Sequence, residues 1–388
     1  MNGLQRIATA LVSAAALGAV PGVAMAQQGV TDTEILLGEI VPLSGVASVG
    51  SLGLSAGTKM AIAEANAEGG INGRKARLIS EDDGLVVARA VQGARKLLTG
   101  DKVFALTATS GAAASLALLP MLKETGIPAF NVLSFPEQFW KPVVPNIYVA
   151  GATHQDSAEQ LAIQMSKRFP NKKWAMVTQD DEVGFLLREG FARAQKALNM
   201  NVVYTATFRR GQKDFSSEML AATNAGAEVL FAGGILTENI AMVKELERLG
   251  SKIPVGISWI GRQSSSTLQM MGPASENVYL IDYVVPDESP QGRAFMERAR
   301  RYLNDDDFKR VNRYSLTGYA GTKVMLESMR RCGKALTWAC MIKELNGMKN
   351  FETNVMAPLT FTADSHFSKQ TLMLMKANPK TYTYQPLE

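Results

Sequence analysis

The chain has 388 residues, 46% of them hydrophobic, with 41 Lys and Arg against 36 Asp and Glu and a formal charge of +5. That length exceeds one ordinary core and fits two lobes. The charge is thinly spread, with no basic run longer than Arg209-Arg210 or Arg300-Arg301, which speaks against a nucleic-acid binder; two cysteines and two distant histidines, His154 and His366, cannot build an ordinary zinc site, and neither a metal nor a cofactor is expected.

Residues 1–26 place Arg6 before an apolar run at 7–20 that is followed by Ala24-Met25-Ala26. This is the pattern of a cleaved secretory leader, too short to span a bilayer. The mature chain is expected to begin near Gln27, to be periplasmic and not to span the membrane. From there strand-like runs are expected at 34–42, 77–82, 103–108, 127–132, 173–179, 201–208, 227–233, 253–259 and 276–284. Between most of them lie helical patterns at 54–68, 85–98, 112–124, 154–168, 183–198, 214–224 and 237–249. Strand then helix, repeated, predicts an α/β fold of parallel sheets covered by helices on both faces.

The beat breaks near 134–152, where Pro136, Pro142 and Pro145 interrupt it, and again near 283–290. Both read as crossings between lobes. Helices at 290–303, 313–331 and 337–347 and β segments at 357–363 and 371–376 complete the chain. The expected division is a leader at 1–26, a first lobe of 27–150 plus 284–357, and a second of 151–283 plus 358–388. Cys332 and Cys340 straddle the helix break at Gly333, so a disulfide across that turn or two separate thiols are the alternatives.

Ligands of open α/β sheets lie beyond the carboxyl ends of the strands. Those positions hold Ser44 and Gly45, then Thr109, Ser110 and Gly111 opening the helix at Ala112, then Ser134. Free N–H groups at a helix start, glycines and hydroxyls together suit an anion; each turn taken singly also reads as an ordinary N-cap. The second half offers Asp180 and Asp181, either facing a ligand cation or capping the helix near Val183. Gly233 to Thr237 follow, then Ser258 and Trp259, the tryptophan stacking on a ligand or packed on the surface. Phe135 is the pocket-wall candidate of the cluster Phe135, Phe139 and Trp140. No enzymatic motif stands out: Gly-Ile-Ser-Trp-Ile-Gly at 256–261 misses a nucleophile elbow by one position, and no phosphate or dinucleotide loop occurs.

Several segments carry a resemblance. PLSG at 42–45, AIAEANAEGGINGR at 61–74, ISEDDG at 79–84 and VFALTATSGAAASLALLP at 103–120 resemble the leucine/isoleucine/valine-binding family of periplasmic receptors. So do GIPAFNVLS at 126–134, WAMVTQDDEVG at 174–184, KDFSSEM at 213–219, FAGG at 231–234 and LTGYAGTKVMLESM at 316–329. The resemblance implies a type I periplasmic binding protein: two doubly wound parallel-sheet lobes, three crossing strands, and a cleft that closes on a ligand delivered to the permease subunits of an ABC importer. A small carboxylate is the implied ligand, and a monomer the expected state. The first-lobe cradle of the family falls on Ser110 and its neighbours Gly111 to Ala113, and the next loop's hydroxyl on Ser134. Two commonly aromatic positions are Val183 and Ile235 here, and Gly234 precedes the latter. The acid that holds an α-ammonium in amino-acid binders has no counterpart in residues 256–261. A carboxylate without an amino group, aromatic or aliphatic, fits the changed lobe better. A ligand sensor of the same fold is the alternative. A secreted hydrolase would need a positioned nucleophile and base, which the sequence does not display.

Overall fold

The computed structural model describes residues 27–45, 48–109, 111–132, 135–262 and 266–387; the expected leader, Ser110 and Ser134 lie outside them. The first strand, β1 (Glu34–Val41), is buried along almost its whole length, as a strand covered by helices on both faces must be. Then come α1 (Ser48–Ala67), β2 (Lys75–Asp82), α2 (Val87–Arg95), β3 (Ala105–Ala108), α3 (Ala112–Thr125), β4 (Ala129–Asn131) and β5 (Ile147–Gly151). The Gly-Gly-Ile-Asn-Gly turn between α1 and β2 holds Gly69, Gly70, Asn72 and Gly73 at φ of 99°, 79°, 53° and 86°, a left-handed run that glycine and asparagine tolerate best.

The chain then enters a second unit through α4 (His154–Arg168), β6 (Lys173–Gln179), α5 (Glu182–Leu198), β7 (Asn201–Phe208) and α6 (Ser216–Asn224). It continues through β8 (Val229–Gly233), α7 (Thr237–Arg248), β9 (Val255–Ile257), α8 (Ser266–Met271) and β10 (Val278–Asp282). It returns with α9 (Pro290–Tyr302), α10 (Asp305–Phe308), α11 (Arg313–Arg331), α12 (Trp338–Asn346) and β11 (Phe367–Lys369), and ends with β12 (Met373–Asn378) and β13 (Thr383–Pro386). Among the described residues no helix is long and apolar enough to cross a membrane.

Two sheets result. The first has the order β11-β5-β4-β3-β1-β2 with every pair parallel. The second has the order β13-β12-β10-β9-β8-β6-β7; it is parallel from β7 to β10 and carries β12 and β13 antiparallel at its edge. Both sheets repeat one winding: the second strand lies outside the first, and the third to fifth continue on the other side. Each lobe therefore has a switch point, between β1 and β3 and between β6 and β8, where loops diverge and leave a crevice.

The expected lobe boundary at 357/358 requires correction. Residues 357–363 form isolated bridges rather than a strand. Phe361 packs edge-on against Phe130 at 5.6 Å and Tyr148 at 5.5 Å, both in the first lobe, and β11 then extends the first sheet beside β5. The third crossing falls between β11 and β12, where Gln370 N–H donates to Gly151 O at 2.8 Å. The apolar residues around 359–361 fill a gap in the first lobe's core, a use that alternation alone does not distinguish from a strand. The short α8, α10 and β13 were not anticipated either, since each has too few residues to show a period.

The C-terminal helices pack on the first lobe, where α1 and α11 come into direct contact. A Cβ on Gly57 would stand 2.0 Å from Ser315 O, and one on Gly318 would stand 2.2 Å from Leu54 O. Ser315 Oγ donates to Gly53 O at 2.6 Å across the same seam. A disulfide joins Cys332, at the end of α11, to Cys340 in α12. Since α11 begins with Arg313, this seam also sets where that side chain stands. Gly57→Val is expected to destabilise the fold by about 3 kcal/mol or more, because the clash is with rigid backbone; urea unfolding of the variant beside the parent checks it.

Candidate ligand-binding site

On the first lobe, the ends of β3 and β4 are tied together at the start of α3. Thr109 is buried; its Oγ1 lies 2.9 Å from Ser115 Oγ and accepts a hydrogen bond from Asn131 Nδ2 at 3.0 Å. Gly111 is the N-cap and Ala112 the first residue of α3. The start of a 14-residue helix at a switch point offers a partial positive charge to an anion. Leu85 roofs this turn: its Cδ1 would be 3.0 Å from a Cβ on Gly111. Ser44 is exposed and serves a neighbouring turn. Its Oγ donates to Asp82 Oδ2 at 2.6 Å, and that bond, with N–H groups from Gly84, Leu43 and Ser44, brings the Asp82 carboxyl down to about 2.

The two lobes meet around Trp259, which is 1% exposed. Phe135 of the first lobe stands edge-on to it at 6.0 Å, and Tyr283 of the second crossing at 5.6 Å. His154, which opens α4 just beyond the first crossing, stacks on it at 4.9 Å and 16°. The Arg313 guanidinium approaches from the first lobe, its Cζ 4.8 Å from the Trp259 ring centre and 4.4 Å from that of Tyr283. Asp282, the last residue of β10, anchors this guanidinium: Nη2 donates to Oδ1 at 2.7 Å and Nε to Oδ2 at 3.1 Å. Arg262 donates to the same carboxylate at 2.9 Å and to Asp287 at 2.8 Å. Asp282, Arg262 and Arg313 are wholly buried.

Electrostatics follow from that packing. Burial alone would raise Asp282, but Arg313 and Arg262 outweigh it and hold the carboxyl below its ordinary range. Asp282 and the Tyr283 side chain likewise outweigh burial at Arg313 and keep it protonated. Burial pushes His154 down to about 4, against the pull of Asp181 and with the help of Arg313. Several buried polar atoms in the cluster have no hydrogen-bond partner among the described residues: Arg313 Nη1, Arg262 Nε, Trp259 Nε1, Tyr283 Oη and His154 Nδ1.

The remaining second-lobe candidates are engaged elsewhere. Asp181 is the N-cap of α5, accepting from Gly184 N at 3.1 Å, and pairs with Arg210 at 2.6 Å; of its two readings, the cap is the one observed. Asp180 is exposed. Gly234 uses both backbone groups on the Asn239 amide, which also donates to Ile235 O at 2.8 Å. Val183 and Ile235 are half-buried against the core. Ser258 is buried with its Oγ 2.8 Å from that of Ser157. Trp259 and Phe135 are thus the two sequence candidates that touch directly. Arg313, His154, Asp282 and Tyr283 were missed. The strand-end rule would have found Asp282 and Tyr283 had it been applied to β10 as to the others. Nothing local marks Arg313, which depends on the α1–α11 seam.

Two lobes of the same winding, joined by three crossings and sharing one buried polar-aromatic cluster, define a two-lobed α/β binding-protein fold. A family model described as periplasmic binding protein matches residues 34–382, and the chain belongs to that family. Leu/Ile/Val-binding protein homolog 7 of Brucella abortus (strain 2308) is 23% identical over 315 residues, 77% of this chain and 77% of that protein. A solved branched chain amino acid ABC transporter protein from Thermus thermophilus with bound valine has a TM-score of 0.82 at 17% identity, covering 92% of this chain and 96% of its own. A solute binding protein of an R. palustris ABC transporter, in complex with 4-hydroxybenzoate, has a TM-score of 0.78 at 17% identity, over 92% and 96% of the two chains. At these identities the solved structures establish the fold. The Brucella relative is named for binding Leu, Ile and Val, and both solved structures are named as ABC transporter proteins.

Two measurements probe the cluster. Asp282→Asn leaves buried guanidinium groups short of charge and is expected to cost about 3–5 kcal/mol, read by denaturant unfolding at neutral pH. His154, held near 4 in the fold against an ordinary 6.5, stays neutral where the unfolded chain takes up a proton. Its contribution is therefore complete above pH 6.5 and lost as the pH falls towards 4. His154→Gln is expected to remove about 3 kcal/mol of that acid-side loss of stability, seen by comparing unfolding free energies of variant and parent across the window.

Proposed function

We propose that this chain is the extracytoplasmic substrate-binding component of an ABC importer, without catalytic activity, and that it closes its lobes on a small carboxylate. The observation that carries this reading is the cluster around Trp259, to which both lobes and the second crossing contribute buried side chains with unused polar atoms. A molecule held between the lobes touches both at once, so it binds the closed arrangement more tightly than an open one and shifts the population towards closure. The names of the relatives support the transport role, with permease subunits as the partner of the closed form and a monomer as the working unit.

The carboxylate would lie against the start of α3 at Gly111 and Ala112, with Ser110 and Ser134 as hydroxyl donors. Its aromatic or aliphatic body would lie against Trp259 and Phe135. A hydrolytic role finds little support: the buried Ser157 hydroxyl donates to the His154 backbone carbonyl at 2.8 Å, and its oxygen lies beside that of Ser258.

A thermal-shift screen of amino acids, aromatic acids and short aliphatic acids tests the proposal. A ligand at a hundred times its Kd adds about 2.7 kcal/mol of stability, enough for a clear rise in melting temperature, accompanied by a change in tryptophan fluorescence and no turnover. If no carboxylate in the panel raises the melting temperature, or if model esters are hydrolysed, the reading fails.

A further inference from the structure

We propose that Glu39 keeps its proton in the folded first lobe and is a pH-sensitive element of that lobe: the packing of α1 on β1 is tightest with the carboxyl neutral and loosens when it ionises.

Glu39 lies within β1, opposite Ser80 of β2 and Ala108 of β3, and is 0% exposed. Its side chain meets α1. Ser55 Oγ, from that helix, and Ser80 Oγ, at 2.6 Å, both donate to the same oxygen, Oε1. Oε2 is buried and has no hydrogen-bond partner among the described residues. A carboxylate shares its charge over two oxygens, so half of the anion would stand buried with nothing donating to it. The neutral acid fits better. It accepts both hydroxyls at its carbonyl oxygen, and the unpaired group is then an O–H, which costs far less to bury than a charge. Burial is accordingly the largest influence on this carboxyl and drives it upward, against the two hydroxyls.

Among the described residues no charged neighbour is free to match the anion. Lys59, one turn along α1 from Ser55, pairs with Asp307 of α10 at 2.8 Å, so its attraction and the repulsion of Asp307 act against each other. Arg310 approaches the same Asp307 at 3.8 Å. On β2, Glu81 is bonded to Lys96, and Asp82 to Arg89 at 3.0 Å. Farther along α1, Glu64 accepts from Tyr319 Oη at 2.6 Å and from Lys323 at 3.2 Å. Arg313 of α11 is bound to Asp282. Ser55 itself stands between Gly53 and Gly57, whose backbones meet α11. A charge developing at Glu39 therefore acts on α1 where that helix carries the seam.

The direction in pH follows. Below the ordinary 4.5 both the folded and the unfolded chain hold the proton. Above it the unfolded chain gives the proton up first, and stability falls until the native carboxyl ionises as well. Glu39→Gln keeps the shape and the carbonyl oxygen and cannot ionise. Urea unfolding of the full mature chain and of this variant across a pH series isolates the group, since His154 and every other titrating residue is common to both. The ratio of parent to variant folding constants is expected to fall about tenfold per pH unit above 4.5 and then to level. The parent is also expected to show the infrared band of a protonated carboxyl at neutral pH, absent from the variant. Parallel stability profiles overturn the proposal, as does a parent spectrum without that band. If Glu39→Gln does not fold, Glu39→Met serves the same comparison, and the absence of the band from the parent at neutral pH still overturns the proposal.

Discussion

The buried ion cluster of Asp282 with Arg313 and Arg262 is the constraint around which the rest is arranged. Arg313 belongs to the helix that packs on the first lobe, and Asp282 ends a central strand of the second, so the bond between them spans the lobes at a crossing. Charges taken wholly out of water are tolerable only when their partners and hydrogen bonds are nearly complete. Asp282 meets that condition, accepting from both guanidinium groups and from backbone N–H groups of the crossing itself. The geometry of the crossing and the position of the guanidinium are thereby fixed together.

The aromatic residues complete that arrangement. Trp259 lies with its ring against the guanidinium, which gains from the ring's electron-rich face in a fully buried site. Phe135 and Tyr283 stand nearly perpendicular to it, in the edge-to-face geometry that ring quadrupoles favour. His154 stays neutral beneath it because burial and Arg313 both oppose a second positive charge. One apolar cluster consequently runs from the first lobe through these rings into the second, while a separate cluster fills the far face of the second sheet. A continuous inner core at the crossings joins the two lobes, each of which is already packed on its own sheet.

The proposed function draws on an asymmetry between the two lobes. The first lobe offers backbone N–H groups at a helix start, braced by Thr109, Asn131 and Ser115. The second lobe and crossing offer rigid aromatic surface and side-chain donors. On the proposed reading, such a site would suit a small anion with a flat or apolar body, held by groups whose positions are set before it arrives. That preorganisation lowers the entropic cost of binding.

Much of the fold was legible in the chain because it depends on local periodicity. Alternating apolar runs and helical patterns specified parallel sheets, and Gly69-Gly70-Ile71-Asn72-Gly73 specified a turn by the φ angles it requires. Strand-end reasoning put Thr109 and Gly111 after β3 and Trp259 after β9, at the carboxyl edges of the two sheets, while Phe135 stood out in the aromatic cluster near the first crossing. It could not tell which hydroxyls were committed elsewhere: Ser44 to Asp82, Ser258 to Ser157. Nor could it see that residues 357–363 fill the first lobe's core instead of starting a strand of the second. The sequence by itself determined the longer elements, their alternation and the edge of each sheet at which the strand ends gather. Only the tertiary structure decided that Arg313, 31 positions beyond Asp282, meets it under Trp259, because that contact depends on the glycine-lined seam between α1 and α11 and on a crossing that returns the chain to the first lobe.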